Sequence, residues 1–284
     1  MTSHKSWLTS SFSGLDVHFV QGPYKLRSPF GNLDDEGYTQ ACVSDLIQLI
    51  DMTDASGFAA LIAEPIQGVG GFATPPDGFF GAMHKVLDAN GILFISDEVQ
   101  TGWGRTGDHF WGYQAHGIVP DILTFAKGVG NGITLAGCVA RADVMNAIDR
   151  TSFTTFGGNP LSVAAGRATL KYVLDHDLQS NAAARGLQMA QRLQRIIDGT
   201  EWIAELRGKG LMLGIECVHP GGIEPNPNAA TALIEGCKSR GLLVGKGGLY
   251  GNVIRLTPML NVSEKEVDEG LSLIHISEPT RQAS

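Results

Sequence analysis

The chain has 284 residues, enough for one large domain or two smaller ones with a sizeable core. Its 21 basic and 29 acidic residues give a net charge of −8, which argues against a nucleic-acid-binding surface. A hydrophobic content of 43% excludes a mainly disordered chain, and no apolar run approaches the ~20 residues needed to cross a bilayer. The 37 glycines are roughly twice the usual share, but they show no three-residue period. They gather in short loops between apolar runs, as in folds with tight strand-to-helix turns. The first twenty residues show no basic stretch followed by an apolar core, so no signal peptide is expected. Cys42, Cys138, Cys217 and Cys237 are far apart and lack CxxC spacing. A reducing compartment is expected, cytoplasmic or mitochondrial matrix, with no metal site. Cys138 and Cys217 fall in strands and are expected to be buried.

Residues 1–57 are polar and irregular, apart from a helix expected over 39–52. Strands follow at 59–63, 92–96 and 122–125, with a helix over 77–90 that Asn90-Gly91 stops. Strand centres about thirty residues apart match one βαβ unit each, and their continuous apolar character fits burial on both faces. An open, mostly parallel α/β sheet is expected. Ligands then bind beyond the carboxyl ends of its strands, where Glu64, Asp97 and Lys127 stand. A further strand is read at 135–140. Asn159-Pro160 opens a helix, and a second covers 181–198. Strands at 211–217, 242–244 and 253–256, with a helix over 229–240, make a smaller α+β domain. Gly208 and Gly210 read as a turn before its first strand. Ser263 and Glu266 form a capping box for a last helix, which Gly270 would stop.

SDEVQTGWGRTG (96–107) and FAKGVGNG (125–132) carry the chemistry. A carboxylate and a lysine stand at two strand ends, each followed by glycines that let a flat ligand approach the backbone. Pyridoxal phosphate (PLP) catalysis needs this pair: an amine for the aldehyde and a carboxylate for the pyridine nitrogen. Spacing alone favours a blander reading, a structural Asp–Lys pair or two solvated loop residues. The cluster after Lys127 is neither a phosphate-binding GK[ST] loop nor a good dinucleotide fingerprint.

Together with AEPIQGVGG, DILTFAKGVGNG, TFGGNP, RGKGLMLGIE and VIRLTP, these motifs closely resemble class III aminotransferases of PLP fold type I. The likeness covers about residues 55–270. It implies an α/β fold, with a partial PLP-binding large domain over 1–158 and a small α+β domain over 159–270. It also implies roles. Lys127 resembles the lysine that holds pyridoxal 5'-phosphate and moves the proton, and Asp97 the pyridinium partner. Val99 resembles the residue against the ring face, and Gln100 the one near the phenolic oxygen. Thr155 resembles the threonine reaching the phosphate in a neighbouring subunit, which requires a homodimer. Arg255 resembles the arginine that binds the substrate carboxylate through a bidentate fork, with a surface ion pair as the bland alternative.

Two departures matter. Where relatives acting on 4-aminobutyrate- or ornithine-type substrates often carry Glu, this chain has Val69, which cannot pair with the substrate arginine. That loop, with HFWGYQAHGIVPDI and CKSRGLLVGKGG, resembles the alanine–glyoxylate branch. Transamination from an amino acid to a keto acid such as pyruvate or glyoxylate is therefore expected. 4-Aminobutyrate or ω-amino-acid transamination, phospholyase action on amino-alcohol phosphates and an inactive fragment stay open. The family's upstream phosphate loop and ring-stacking aromatic are not recognisable before residue 55. LSLIHISEPTR (271–281) resembles a translated sequencing adapter, so 271–284 is expected to be a non-native tail.

Overall fold

The computed structural model describes residues 16–53, 57–151 and 153–277. Helix α1 (Asp35–Thr53) buries Tyr38, Cys42, Leu46 and Ile50, a stripe at four-residue spacing. Strand β1 (Ala60–Ala63) leads through the 64–78 loop to α2 (Phe79–Ala89), which buries Phe79, Phe80, Met83 and Leu87. Strands β2 (Leu93–Asp97), β3 (Ile122–Phe125) and β4 (Gly137–Ala140) complete a four-stranded sheet in the order β1-β2-β3-β4. The first three run parallel and β4 pairs antiparallel with β3. The sheet is thus mostly parallel, with its carboxyl ends at Glu64, Asp97 and Lys127. One core cluster joins α1 and α2 to β2 through Phe94.

A short helix α3 (Ala142–Asn146) precedes α4 (Pro160–Asp175) and α5 (Leu178–Ile197). Asn159 caps α4 by accepting from Ser162 N–H, with Pro160 in the first turn. A second four-stranded sheet has the order β5-β6-β8-β7, from β5 (Ile203–Lys209), β6 (Met212–Cys217), β7 (Gly245–Gly247) and β8 (Val253–Leu256). It is antiparallel throughout. Helices α5, α6 (Pro227–Ser239) and α7 (Glu264–Ile276) cover it around a second core containing Leu193, Leu213, Ile215, Leu233, Ile254 and Val267. Every residue of β6 is buried, as befits a central strand.

Four local expectations change. Residues 203–209 form a full strand, because β6 supplies a ladder for a segment too polar to announce itself. The third strand of the small sheet is Gly245–Gly247 and not 242–244; Leu243 is 83% exposed. Helix α7 continues through Gly270 to Ile276, burying Leu271 and Ile274. Cys138 is exposed, because β4 is an edge strand, whereas Cys217 is buried.

Candidate active site

The two sheets meet at the loop 64–72. Its Ile66 and Phe72 pack with Met212 of β6 in a small core of their own. Gly68 is the hub. Its N–H donates to Glu64 Oε2 at 2.8 Å, and its carbonyl lies 3.5 Å from Arg255 Nη1. The Gln100 carboxamide lies so close that a Cβ on residue 68 would sit 1.7 Å from Nε2. Only glycine lets a strand-end carboxylate, a carboxamide and an arginine meet there.

Asp97 ends β2. Its Oδ1 accepts from Val99 N–H at 3.0 Å, which fixes the carboxylate's orientation. Side chains alternate along a strand, so the neighbouring Glu98 points the other way. Glu98 is fully buried and accepts from Ser96 Oγ, Thr101 Oγ1, Gly112 N–H and Tyr113 N–H. It ties β2 to the 3-10 turn over residues 112–116, a role the sequence reading did not single out.

Lys127 opens a 3-10 turn (Lys127–Gly130) beyond β3, with φ of 50°. A left-handed backbone at a bulky residue is uncommon and concentrates at functional sites. Val129 and Gly130 are buried beneath it, while the lysine itself is exposed. Burial of its surroundings pushes the ammonium below the ordinary lysine value. Glu64 and Asp97 pull it back up, and Arg255 adds to the lowering. The Glu64 carboxyl is raised, by burial first and by the Asp97 charge, against the Gly68 amide and Lys127. Four groups from three strand ends and the second sheet thus share one electrostatic field.

Arg255, on β8, supplies the remaining cation. Its guanidinium stands over the Phe72 ring at 5.7 Å, and its Nε is buried without a partner. Among the described residues no carboxylate pairs with it. Burial, with no counter-charge, lowers its pKa. A surface ion pair is therefore not its role in this structure, where its one hydrogen-bond contact among the described residues is to the Gly68 carbonyl.

The structure brings Asp97, Val99, Gln100, Lys127 and Arg255 to one locality, and adds Glu64 and Gly68. It does not bring Thr155 there. Thr155 lies in an exposed stretch between Phe153 and Phe156, which are 84% and 82% exposed. No group of three His, Cys, Asp or Glu placed to hold a metal occurs among the described residues. None of the described helices is long and apolar enough to cross a membrane.

A nucleophilic amine with a lowered pKa, a carboxylate on the adjacent strand and an unsatisfied guanidinium suit an aldehyde-bearing, cationic ring and a carboxylate substrate. The backbone is open on the solvent side: a Cβ at Gly128, inside the lysine turn, or at Gly132, just beyond it, would meet nothing within 4 Å. These residues fit pyridoxal phosphate.

Comparison with known proteins agrees. A match to the class-III aminotransferase family spans residues 2–276. The chain is 40% identical over 254 residues to alanine–glyoxylate aminotransferase 2 homolog 2, mitochondrial, of Arabidopsis thaliana, covering 89% of this chain and 52% of that protein. It is 38% identical over 221 residues to 4-aminobutyrate aminotransferase of Mycobacterium leprae, covering 78% and 49%. The chain thus spans about half the length of these curated relatives. A PLP-bound amine transaminase from an uncultivated Pseudomonas species superposes with a TM-score of 0.86 at 32% identity, over 92% of this chain and 61% of that one. The fold is the PLP fold type I of these transaminases, and the chain belongs to the class-III aminotransferase family, whose cofactor is pyridoxal phosphate.

Proposed function

We propose that this chain carries the lysine and the substrate arginine of a PLP-dependent aminotransferase. The amino group would pass from an amino acid such as alanine to a keto acid such as pyruvate or glyoxylate. The observation that carries the reading is Arg255, an unpaired guanidinium in the same electrostatic field as Lys127. When bound, PLP supplies an aldehyde and an electron-withdrawing pyridinium ring. Lys127 Nζ would hold the aldehyde carbon and, once free, take the proton from the substrate's α-carbon. Asp97, oriented by Val99 N–H, would keep the ring nitrogen protonated, and the Val99 side chain would pack on the ring face. Gln100 would bond near the phenolic oxygen. Arg255 would grip the α-carboxylate through its fork and so hold the α-hydrogen toward Lys127.

Val69 stands where a Glu would compete for Arg255, so the fork stays open throughout the cycle. This favours α-amino acids of the alanine–glyoxylate type, in keeping with the name of the Arabidopsis relative. Thr155 would reach the cofactor phosphate of a second copy. The exposed Phe153, Phe156 and Leu161 around it support a homodimer covering that stretch. The division at 158/159, supported by the two separate sheets, belongs to the same reading.

The test is glycine formation from alanine and glyoxylate by the PLP-loaded protein, with 4-aminobutyrate and phosphoethanolamine as alternative substrates. Glycine and pyruvate in equal amounts are expected. Preference for 4-aminobutyrate would reassign the donor. Phosphate release from phosphoethanolamine without amino transfer would overturn the transaminase reading.

A further inference from the structure

We infer that Arg207 is a positioning residue of the carboxylate site: it holds the strained loop 68–72 that seats Arg255. The functional half of this inference rests on the transaminase reading; the structural half does not.

Two successive residues of the loop, Gly71 and Phe72, have φ of 89° and 57°. For Phe that conformation is unfavourable and persists only where the surroundings enforce it. It is what places the fully buried Phe72 ring beneath the Arg255 guanidinium. The loop cannot drift toward β8. A Cβ on Gly71 would lie 2.8 Å from Val253 Cγ2 and 2.9 Å from the Gly248 backbone.

Besides the 3.5 Å contact of Arg255 itself with Gly68 carbonyl, two tethers reach the loop from the second sheet and its loops. Gly248 N–H donates to Val69 carbonyl at 2.9 Å. Arg207 Nε, from β5, donates to Gly71 carbonyl at 2.8 Å, beside the strained peptide. Arg207 is itself immobilised. Its Nη1 pairs with Glu216 Oε2 at 2.6 Å and with Glu205, and its guanidinium faces the Tyr24 ring at 4.9 Å. Glu216 is wholly buried. It also takes hydrogen bonds from Tyr24 OH, Arg27 Nη2 at 2.7 Å and Asn252 Nδ2 at 3.0 Å. A rigid charged network spanning three segments therefore ends in one bond to the loop. The planar fork is required: a lysine ammonium can serve Glu216 or Gly71, but it cannot hold both in this geometry.

Arg207→Lys keeps the charge beside Glu216 and removes the second reach; Arg207→Gln removes both. Amide hydrogen exchange on the full chain is the first readout. Gly71 and Phe72 N–H donate to Gly68 and Gln67 carbonyls and should exchange faster in Arg207→Lys, with the β6–β8 ladder still protected. The second readout is the PLP-loaded protein's KM for alanine against that for 1-phenylethylamine, which has no carboxylate. Arg207→Lys should raise the alanine KM roughly tenfold, the effect of losing one charged hydrogen bond's worth of positioning, and leave kcat and the amine's KM within about twofold. Unchanged exchange at residues 71 and 72 overturns the inference. So does loss of protection across the whole second sheet in Arg207→Lys, or an equal rise in both KM values. If the wild-type protein transaminates neither substrate, the functional reading falls and the exchange result alone decides whether Arg207 holds the loop.

Discussion

Replacing Arg255 with Met separates recognition from stability. In the structure Arg255 has little to lose internally: a 3.5 Å contact to Gly68 carbonyl and the Phe72 ring at 5.7 Å. A cation–π contact contributes about 0.5–1 kcal/mol, and removing a buried guanidinium that lacks a counter-charge offsets part of that. The thioether stem also fills the space between Phe72 and β7. Folding stability should therefore change by less than about 1 kcal/mol in urea unfolding. The substrate carboxylate, by contrast, loses two charge-assisted hydrogen bonds. Taken at roughly 1.5 kcal/mol each, they amount to ~3 kcal/mol, or roughly a hundredfold in kcat/KM for alanine. A primary amine without a carboxylate should lose less than about threefold. Parallel kinetics on alanine and 1-phenylethylamine, with urea curves on the same preparations, decide the matter. Equal losses on both substrates, or destabilisation beyond about 3 kcal/mol, would refute the assignment of Arg255 as a free carboxylate fork.

Three other outcomes follow from particular contacts. Gly186 in α5 and Gly270 in α7 are both helical, yet alanine should act oppositely at the two. At Gly186 a Cβ would lie 2.4 Å from Gly210 carbonyl, so overpacking of about 1–3 kcal/mol outweighs the ~1 kcal/mol propensity gain and thermal stability falls. At Gly270 the nearest atom is Leu242 Cδ1 at 3.7 Å, so alanine should stabilise by roughly 0.5–1 kcal/mol; a lower melting temperature would contradict this. Ionised Glu64 holds the Lys127 pKa up, so Glu64→Gln should shift the pH midpoint for PLP capture downward, and an upward shift would break the coupling argument. At Glu216 burial opposes ionisation, but Arg207, Tyr24, Asn252 and Arg27 hold its pKa below the ordinary carboxylate value. Its contribution is thus present above the unfolded value near 4.5 and lost as pH falls through the folded value. Glu216→Gln should cost about 3–5 kcal/mol at neutral pH and flatten the acid limb of the stability profile; an unchanged limb would count against the network.

Much of this site could be read before folding was considered. Asp97 and Lys127 follow short apolar runs at βαβ spacing, and parallel strands put their next residues at the ligand end. The burial on both faces that those runs suggested is only partial, with two buried residues in β2 and one in β3. Glu98, one position further, could not be read the same way. Its burial depends on Gly112 and Tyr113, which arrive from a separate turn. Strand β5 was hidden because the face opposite Glu205, Arg207 and Lys209 carries only Ala204, Leu206 and Gly208, too weak an apolar signal to announce a strand. The three charges are satisfied only in the folded chain: Arg207 by Glu205 and by Glu216 of β6, and Lys209 by Asp77 ahead of α2. The GKG of β7 carries no strand signal at all, and its ladder comes from β8. Gly68 looked like one glycine among many; its importance lies in contacts to Gln100 and Arg255, 32 and 187 residues away. Glu64 was visible as a third strand-end charge, although only the structure shows it bonded to the loop beside Arg255.

The central claim is that Lys127 holds the cofactor within reach of Arg255. The most direct measurement is borohydride reduction of the PLP-treated chain, followed by peptide mapping by mass spectrometry. The account predicts a pyridoxyl group on the peptide containing Lys127 and none in Lys127→Ala. Label on another lysine, or equal labelling of the wild type and Lys127→Ala, would contradict it.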